Sequence, residues 1–394
     1  MILKLRNLPE INSKIKVLFI SSWFPNRVKP TLGNFVHKHA EAVSQYADVS
    51  VLHVCFDETL KGKQEIVYSS EKNINSIFIY LKKINSPIRQ FINYLKAYRN
   101  GLKLISEKYG KPDIIHANII FPVGLVFLFN KAFKKFPFVV TEHWTGFLPD
   151  DPEKISFIKK YLIKRITRKS KKVLLVTENL KNAMLNLGFK GDYKVVPNVV
   201  DTSLFVITDQ NKKSIKNILH ISSFVDEQKN ISGILRAIKK LSEKRNDFAM
   251  HFITDGDAQP FIDYAKNNSL LDKYVFFHGT KSTGQVAEML EQSDFLLLFS
   301  NYENFPCVIV EAFSCGVPVV STNVGGISEH VSDKHGILIK PKDENALLTA
   351  IGQMLDNTDK YDKQFLHDYA ENNFSYKSVG KQINDIYSEI LNKK

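Results

Sequence analysis

Two carboxylates, Glu303 and Glu311, bracket the segment Glu303-Asn-Phe-Pro-Cys-Val-Ile-Val-Glu311. An ionised carboxylate can accept from two vicinal hydroxyls at once, in charge-assisted hydrogen bonds stronger than neutral ones. Upstream, Phe295-Leu-Leu-Leu-Phe-Ser300 is strand-like. Downstream, Ala312-Phe-Ser-Cys-Gly-Val-Pro-Val-Val-Ser321 reads as a helix end, a glycine stop and a second buried strand. One glutamate is therefore expected to open a helix and the other to lie two turns inside it. Eight residues advance about 12 Å along a helix axis, so the two acids can hold hydroxyls at opposite ends of an extended ligand. The free N–H groups of Phe305, Cys307 and Val308 at the helix start would face its middle, while Pro306 has none to offer. A sugar nucleotide has that pattern of hydroxyls and charge. The competing reading is two surface glutamates with a chance spacing.

The elements that must carry these groups alternate between strand and helix almost throughout, which points to an α/β chain with parallel sheets and crossover helices. Strands are expected at 16–20, 49–54, 113–116, 138–141, 173–176 and 194–196, and again at 218–221, 249–253, 274–277, 294–298, 318–321 and 336–339. Between the two series, Pro197 to Lys216 reads as a linker, with Pro-Asn, Asp201 and the polar run Thr208-Asp-Gln-Asn-Lys-Lys213. Helical patterns at 344–355 and 378–391 close the chain. Open sheets of this kind bind ligands outside the carboxyl ends of their strands. Lys229 stands in such a loop, Ser222-Ser-Phe-Val-Asp-Glu-Gln-Lys-Asn230, just before a helix, where an ammonium is either solvated or paired with a diphosphate. Asp255-Gly256-Asp257 offers two acids, but Asp and Gly both form turns, and a turn is the expectation. The first strand runs into Ser21-Ser-Trp-Phe-Pro-Asn26 and not into G-x-G-x-x-G, which disfavours a dinucleotide-dependent dehydrogenase.

The segment from Glu303 to Glu311 resembles the E-x7-E signature of retaining glycosyltransferases with the two-domain GT-B fold, most closely glycosyltransferase family 4, and the likeness covers most of the chain. The resemblance implies two Rossmann-like, doubly wound parallel-sheet domains facing a cleft, 1–200 on the acceptor side and 201–375 on the nucleotide-sugar side, with the last helix, 376–394, packed back on the first. It implies that Glu311 accepts from the ribose diol and Glu303 from the transferred sugar, and that Lys229 meets the charge of the departing diphosphate. Main-chain groups around Gly279 and Thr280 would pair with the base. Gly33 would let the backbone approach the diphosphate, and His143, in a strand-end Thr-x-His pattern, would reach the transferred sugar. His116, at the end of the neighbouring strand, is a second cleft candidate, against the commoner structural role of such a histidine. Val196-Pro-Asn-Val-Val-Asp201 resembles the family's Pro-Asn-Gly-Val-Asp and places Asn198 and Asp201 at the cleft, or in a turn bonded to its own backbone. The chain departs from the family before Lys229, where Ser223 and Phe224 stand in place of an arginine. Ser223 can donate one hydrogen bond but no charge. No cofactor or metal is implied beyond a nucleoside-diphosphate sugar.

The chain's net charge of +13 is uneven: residues 1–200 hold 33 Lys and Arg against 15 Asp and Glu, a surplus of 18, while the remainder holds 21 against 26, a deficit of 5. Such asymmetry suggests that the first half faces an anionic surface. Two basic helical stretches supply much of it. In 88–105 the apolar stripe is Ile88, Phe91, Ile92, Leu95, Tyr98, Leu102 and Ile105; in 154–172, which has nine basic residues, it is Ile155, Ile158, Leu162 and Ile166. They are either solvated domain helices or membrane-surface contacts. Nucleic acid is disfavoured, since no aromatics interleave regularly with the basic residues. Three cysteines without metal spacing, no signal-like start among Met1 to Glu10, and a longest apolar run of about 11 residues, against roughly 20 for a span, suggest a cytoplasmic protein, which contact of the basic helices with acidic lipid would place at the inner membrane face. The expected reaction is transfer of a hexosyl or N-acetylhexosaminyl group, with retention, to a saccharide or lipid-linked saccharide acceptor in surface polysaccharide synthesis. Rival readings are a sugar-nucleotide epimerase of the same fold, and a non-catalytic module that binds membrane or polyanion. The donor base, the sugar, the acceptor and the linkage are not legible.

Overall fold

The computed structural model describes residues 14–151, 153–208 and 214–392. The start of the chain and residues 209–213 of the expected linker lie outside them. Among the described residues, fourteen strands form two sheets. The first contains β1 (Lys16–Ser21), β2 (Asp48–Phe56), β3 (Gln64–Glu71), β4 (Ile74–Leu81), β5 (Ile114–Asn118), β6 (Phe138–Glu142), β7 (Lys172–Leu175) and β8 (Tyr193–Val195), in the order β3-β4-β2-β1-β5-β6-β7-β8. The second contains β9 (Lys216–Ile221), β10 (Phe248–Ile253), β11 (Val275–Phe277), β12 (Phe295–Leu298), β13 (Val319–Thr322) and β14 (Gly336–Ile339), in the order β11-β10-β9-β12-β13-β14.

All pairings are parallel except β3 with β4. The parallel strands are apolar on both faces because helices cover both sides. In β1, Leu18 and Ile20 enter one core while Val17 and Phe19 enter the other. In β12, Leu297 and its neighbours Leu296 and Leu298 likewise divide between two cores. The chain reverses its direction of strand addition between β1 and β5 in the first sheet and between β9 and β12 in the second. At such points the loops diverge and leave a crevice at the carboxyl edge.

Two features differ from the sequence expectation. The β3-β4 hairpin is additional, closed by Lys72 and Asn73, both in the left-handed region at φ 47 and 62. Its outer strand is largely solvated, so it lacks the continuous apolar run that marks the others. The basic stretch 154–172 is a helix only over Phe157–Lys169, and Lys172 already belongs to β7. Its buried face is Ile163, Ile166 and Thr167, while Ile158, expected in the stripe, faces solvent. The last helix, Tyr376–Asn392, sets Val379, Ile383, Ile386, Tyr387 and Ile390 into the core beneath the first sheet, against the helix Asn34–Ser44.

Candidate functional site

The loops that leave β9 and β12 flank the reversal point of the second sheet and are laced together. Asn301 N–H donates to the Gln228 carbonyl at 2.7 Å, and Asn301 Nδ2 donates to the Glu227 carbonyl at 2.8 Å. Lys229 ends a single helical turn, Asp226–Lys229, and Asn230, at φ 51, joins it to the helix Ile231–Ser242. Its ammonium pairs with the Glu303 carboxylate, which also accepts from Ser300 Oγ at 2.8 Å. Both members of the pair are nearly buried, with side chains 15% and 7% exposed.

The helix after Glu303 starts later than the sequence suggested, at Cys307, and ends at Ser314. Pro306 is its N-cap, with extended backbone at ψ 127. Glu303 therefore sits in the loop ahead of the helix, and only Glu311 lies within it. The first-turn amides of Cys307 and Val308 still fall between the two acids, as helix termini leave such groups unpaired. Phe305 is buried and its carbonyl accepts from Asn198 Nδ2 at 2.9 Å.

The first domain forms the opposite wall. Gly33, at φ 73, precedes the helix Asn34–Ser44, and a Cβ there would fall 2.6 Å from the carbonyl group of Trp23. Only glycine lets the loop after β1 fold against the helix start in this way. His143 follows β6 and is buried, its ring 4.4 Å from that of Phe35 by centroids. Among the described residues, neither ring nitrogen of His143 has a partner at full hydrogen-bond geometry. Burial, with smaller contributions from His39 and His116, holds its pKa well below the usual histidine range, so the imidazole is neutral. Its backbone is fixed across the cleft: Asn304 Nδ2 donates to the His143 carbonyl at 3.2 Å, and Thr177 Oγ1 donates to Asn304 Oδ1 at 2.8 Å. Lys38, on the Asn34–Ser44 helix, pairs with Glu311 at 2.5 Å.

Among proteins of known sequence, the profile of the Glycosyltransferase Family 4 matches residues 33–204 and that of the Glycosyl transferases group 1 matches residues 206–372. An uncharacterized glycosyltransferase of Methanocaldococcus jannaschii is 30% identical over 269 residues, 68% of this chain and 72% of that one. This chain is a glycosyltransferase of family 4. TuaC of Bacillus subtilis, named for teichuronic acid biosynthesis, is 24% identical over 86% of this chain and 88% of its own length. Among solved structures, a sucrose-phosphate synthase from Thermosynechococcus elongatus superposes with a TM-score of 0.76 at 17% identity, covering 97% of this chain and 100% of that one. HepE of Anabaena, solved with UDP and glucose, gives 0.71 at 18% identity, over 95% and 100%. The glycosyltransferase thus has the GT-B fold.

Other residues of this glycosyltransferase singled out from its sequence are placed less uniformly. His116 is not at the cleft. It is fully buried, held between the Tyr387 hydroxyl and Thr141 Oγ1, and burial pulls its pKa down to about 3. It joins β5 and β6 to the last helix, because a strand-end ring that points under the sheet meets that helix and not the ligand. Ser223 is exposed beside the β9 loop, and Gly279 and Thr280 are exposed after β11, with Thr280 Oγ1 donating to the Thr254 carbonyl at 3.4 Å. Asp201 accepts from Ser203 N–H and Oγ, a turn of its own, and also lines a cavity of about 470 Å³ with Glu311 and Lys38. Asp257 accepts from Gln259 N–H at 3.0 Å in a turn, and no cluster of metal-ligating residues occurs among the described residues.

Three contributors escaped the sequence reading. Lys38 gives no signal that separates it from a surface lysine. Glu142 accepts backbone N–H groups of Ile120, His143 and Trp144, each at 2.8 Å, and so fixes the turn that carries His143. Burial outweighs those amides and lifts its pKa to about 7. Gly325 and Gly326, after β13, lie against the Glu303 loop, with Gly326 N–H donating to the Asn304 carbonyl at 2.8 Å. A Gly-Gly pair after a buried strand was the signal available.

Proposed function

We propose that this enzyme transfers a hexosyl or N-acetylhexosaminyl group from a nucleoside-diphosphate sugar to a hydroxyl of a saccharide acceptor, carried on a lipid, with retention of configuration. The observation that carries the reading is the pairing of Lys229 with Glu303 across the reversal point of the second sheet, ahead of the Cys307 helix start and Glu311. In the reaction, Glu303 orients hydroxyls of the sugar, Glu311 those of the ribose, and the neutral His143 imidazole bonds a sugar hydroxyl at the cleft wall. The bond from the anomeric carbon to the phosphate oxygen breaks while the acceptor oxygen bonds on the same face, and the departing phosphate takes the acceptor's proton. Lys229 and the first-turn amides meet the charge that grows on that phosphate, so the proposal needs no metal ion. Orientation and charge stabilisation are the protein's whole contribution. Incubation with UDP, GDP and ADP sugars, with and without membrane lipid extract, is expected to release one nucleoside diphosphate at a rate the extract raises. Release from none of them would sink the reading.

The lipid-linked acceptor and a place at the inner face of the cytoplasmic membrane are supported by one face of the first domain. Helices Pro87–Lys108, Leu125–Phe129 and Phe157–Lys169 bury their inner sides in one core, on the face of the first sheet opposite the last helix, so their outer sides point to the same side of the domain. On those sides Ile88 is 76%, Phe157 85% and Ile158 71% exposed, among Arg89, Lys96, Arg99, Arg165 and Arg168. Helices that expose both apolar side chains and cations suit an anionic bilayer surface. No helix of the described residues is long and apolar enough to cross a membrane. In a flotation assay the protein is expected to bind vesicles containing phosphatidylglycerol and not pure phosphatidylcholine. The double variant Phe157→Ser, Ile158→Ser should lower the vesicle partition constant about tenfold, a change of roughly 1.4 kcal/mol. Equal binding by variant and wild type would remove this face from the proposal.

A further inference from the structure

The reading above leaves the donor diphosphate with one cation. Ser223 is exposed and uncharged, and Phe224 is buried in the core of the second domain, so neither replaces the arginine that the family places before Lys229. A departing nucleoside diphosphate carries more negative charge than one ammonium offsets. A second ammonium stands on the opposite wall. Lys38 reaches across the cleft to Glu311 at 2.5 Å, with its side chain 15% exposed and its ammonium 5.6 Å from the ring centroid of Phe205. Burial opposes that charge, yet Glu311, aided by Cys307 and Glu41, holds the Lys38 pKa above the ordinary lysine value. Glu311 is four residues beyond Cys307, so its backbone lies about 6 Å along the axis from the helix start, and its carboxylate holds the Lys38 ammonium. Two lysines, one from each domain, are thus held by the two glutamates on either side of the helix N-terminus.

We propose that donor binding is an exchange of partners: hydroxyls of the nucleotide sugar take the carboxylates of Glu303 and Glu311, and the released ammonium groups of Lys229 and Lys38 close on the diphosphate. Lys38 is then the cation that the first domain contributes. The exchange rests on the reading that the cleft holds a nucleoside-diphosphate sugar. It leaves each ammonium facing an anion and each carboxylate accepting hydrogen bonds in both states, which matters in a crevice where an uncompensated ion is costly. It also makes tight donor binding depend on both domains. Lys72 is engaged elsewhere, with Glu41 at 2.8 Å, which leaves Lys281, on the rim of the same cavity, as the rival cation.

The test is isothermal titration of the full chain with UDP, GDP and ADP, and with uridine, guanosine and adenosine. For the diphosphate that wild type binds, Lys38→Met is expected to weaken affinity at least about tenfold. The matching nucleoside should bind the variant as well as wild type or better, because Glu311 is freed, and Lys38→Arg should restore most of the diphosphate affinity. Should Lys38→Met fail to fold, Lys38→Gln keeps a donor for Glu311, removes the charge and carries the same expectation. A Lys38 variant that binds the diphosphate as tightly as wild type, or more tightly, overturns the exchange and leaves Lys38 a latch on Glu311. A loss confined to Lys281→Met also overturns it. If wild type binds none of the diphosphates, the reading of the cleft itself fails, a result distinct from either.

Discussion

Glu303→Ala is expected to lower turnover at least tenfold, a loss of about 1.4 kcal/mol or more of transition-state stabilisation. Two effects combine. On the proposed reading the sugar loses a charged acceptor for its hydroxyls, and Lys229 loses the carboxylate that holds its ammonium at the crevice. Breaking a nearly buried pair from one side is also costly to the fold, by about 3–5 kcal/mol where both ions are fully buried. Turnover must therefore be measured per folded molecule, with the thermal midpoint recorded alongside. Glu303→Gln separates the two effects, since it preserves shape and one acceptor oxygen for Ser300 but removes the charge. A fall in kcat with Glu303→Gln at an almost unchanged midpoint assigns the loss to chemistry. Unchanged kcat in both variants removes Glu303 from the site.

The residues that could be read in advance are those whose role follows from local pattern. The parallel strands announced themselves because apolar runs buried on both faces have few other uses, and the place of Lys229 because it stands in a loop at the carboxyl edge just before a helix, whereas Glu303 was expected to open a helix and lies in the loop ahead of it. What escaped depends on contacts distant in sequence. Lys38 matters because the Asn34–Ser44 helix faces a glutamate 273 positions away. His116 was misplaced for the same reason, since its partner Tyr387 arrives only when the last helix returns to the first sheet. The helix start at Cys307 turned on one residue, because Pro306 can cap a helix or occupy its first turn, and sequence does not choose between them. Ile158 keeps the spacing of the stripe Ile155, Ile158, Leu162 and Ile166, yet the helix buries Ile163, Ile166 and Thr167, one position round, and leaves Ile158 outside.

Gly325→Ala tests whether the backbone that supports Glu303 is as exacting as its side chain. Gly325 has φ 58, and a Cβ there would fall 1.9 Å from the Glu303 carbonyl oxygen and 2.8 Å from that of Asn304. Neither neighbour is a flexible side-chain end, so the added methyl must move one of the two loops. The strained conformation and the overpacking together are expected to cost on the order of 3 kcal/mol. Displacing the Glu303 backbone also turns its carboxylate away from Lys229 and Ser300, so turnover per folded molecule should fall about tenfold or more. Gly352→Ala is the matching control. It lies within the helix Glu344–Asn357 with nothing within 4 Å of the added carbon, and the better helix propensity of alanine should raise stability by up to about 1 kcal/mol. The same substitution thus changes sign with backbone conformation and the space around it. Calorimetry of both variants, with nucleoside diphosphate release measured in parallel, decides the matter: a Gly325→Ala protein as stable and as fast as wild type would mean that the Glu303 loop is free to yield, and that its position is not what limits the reaction.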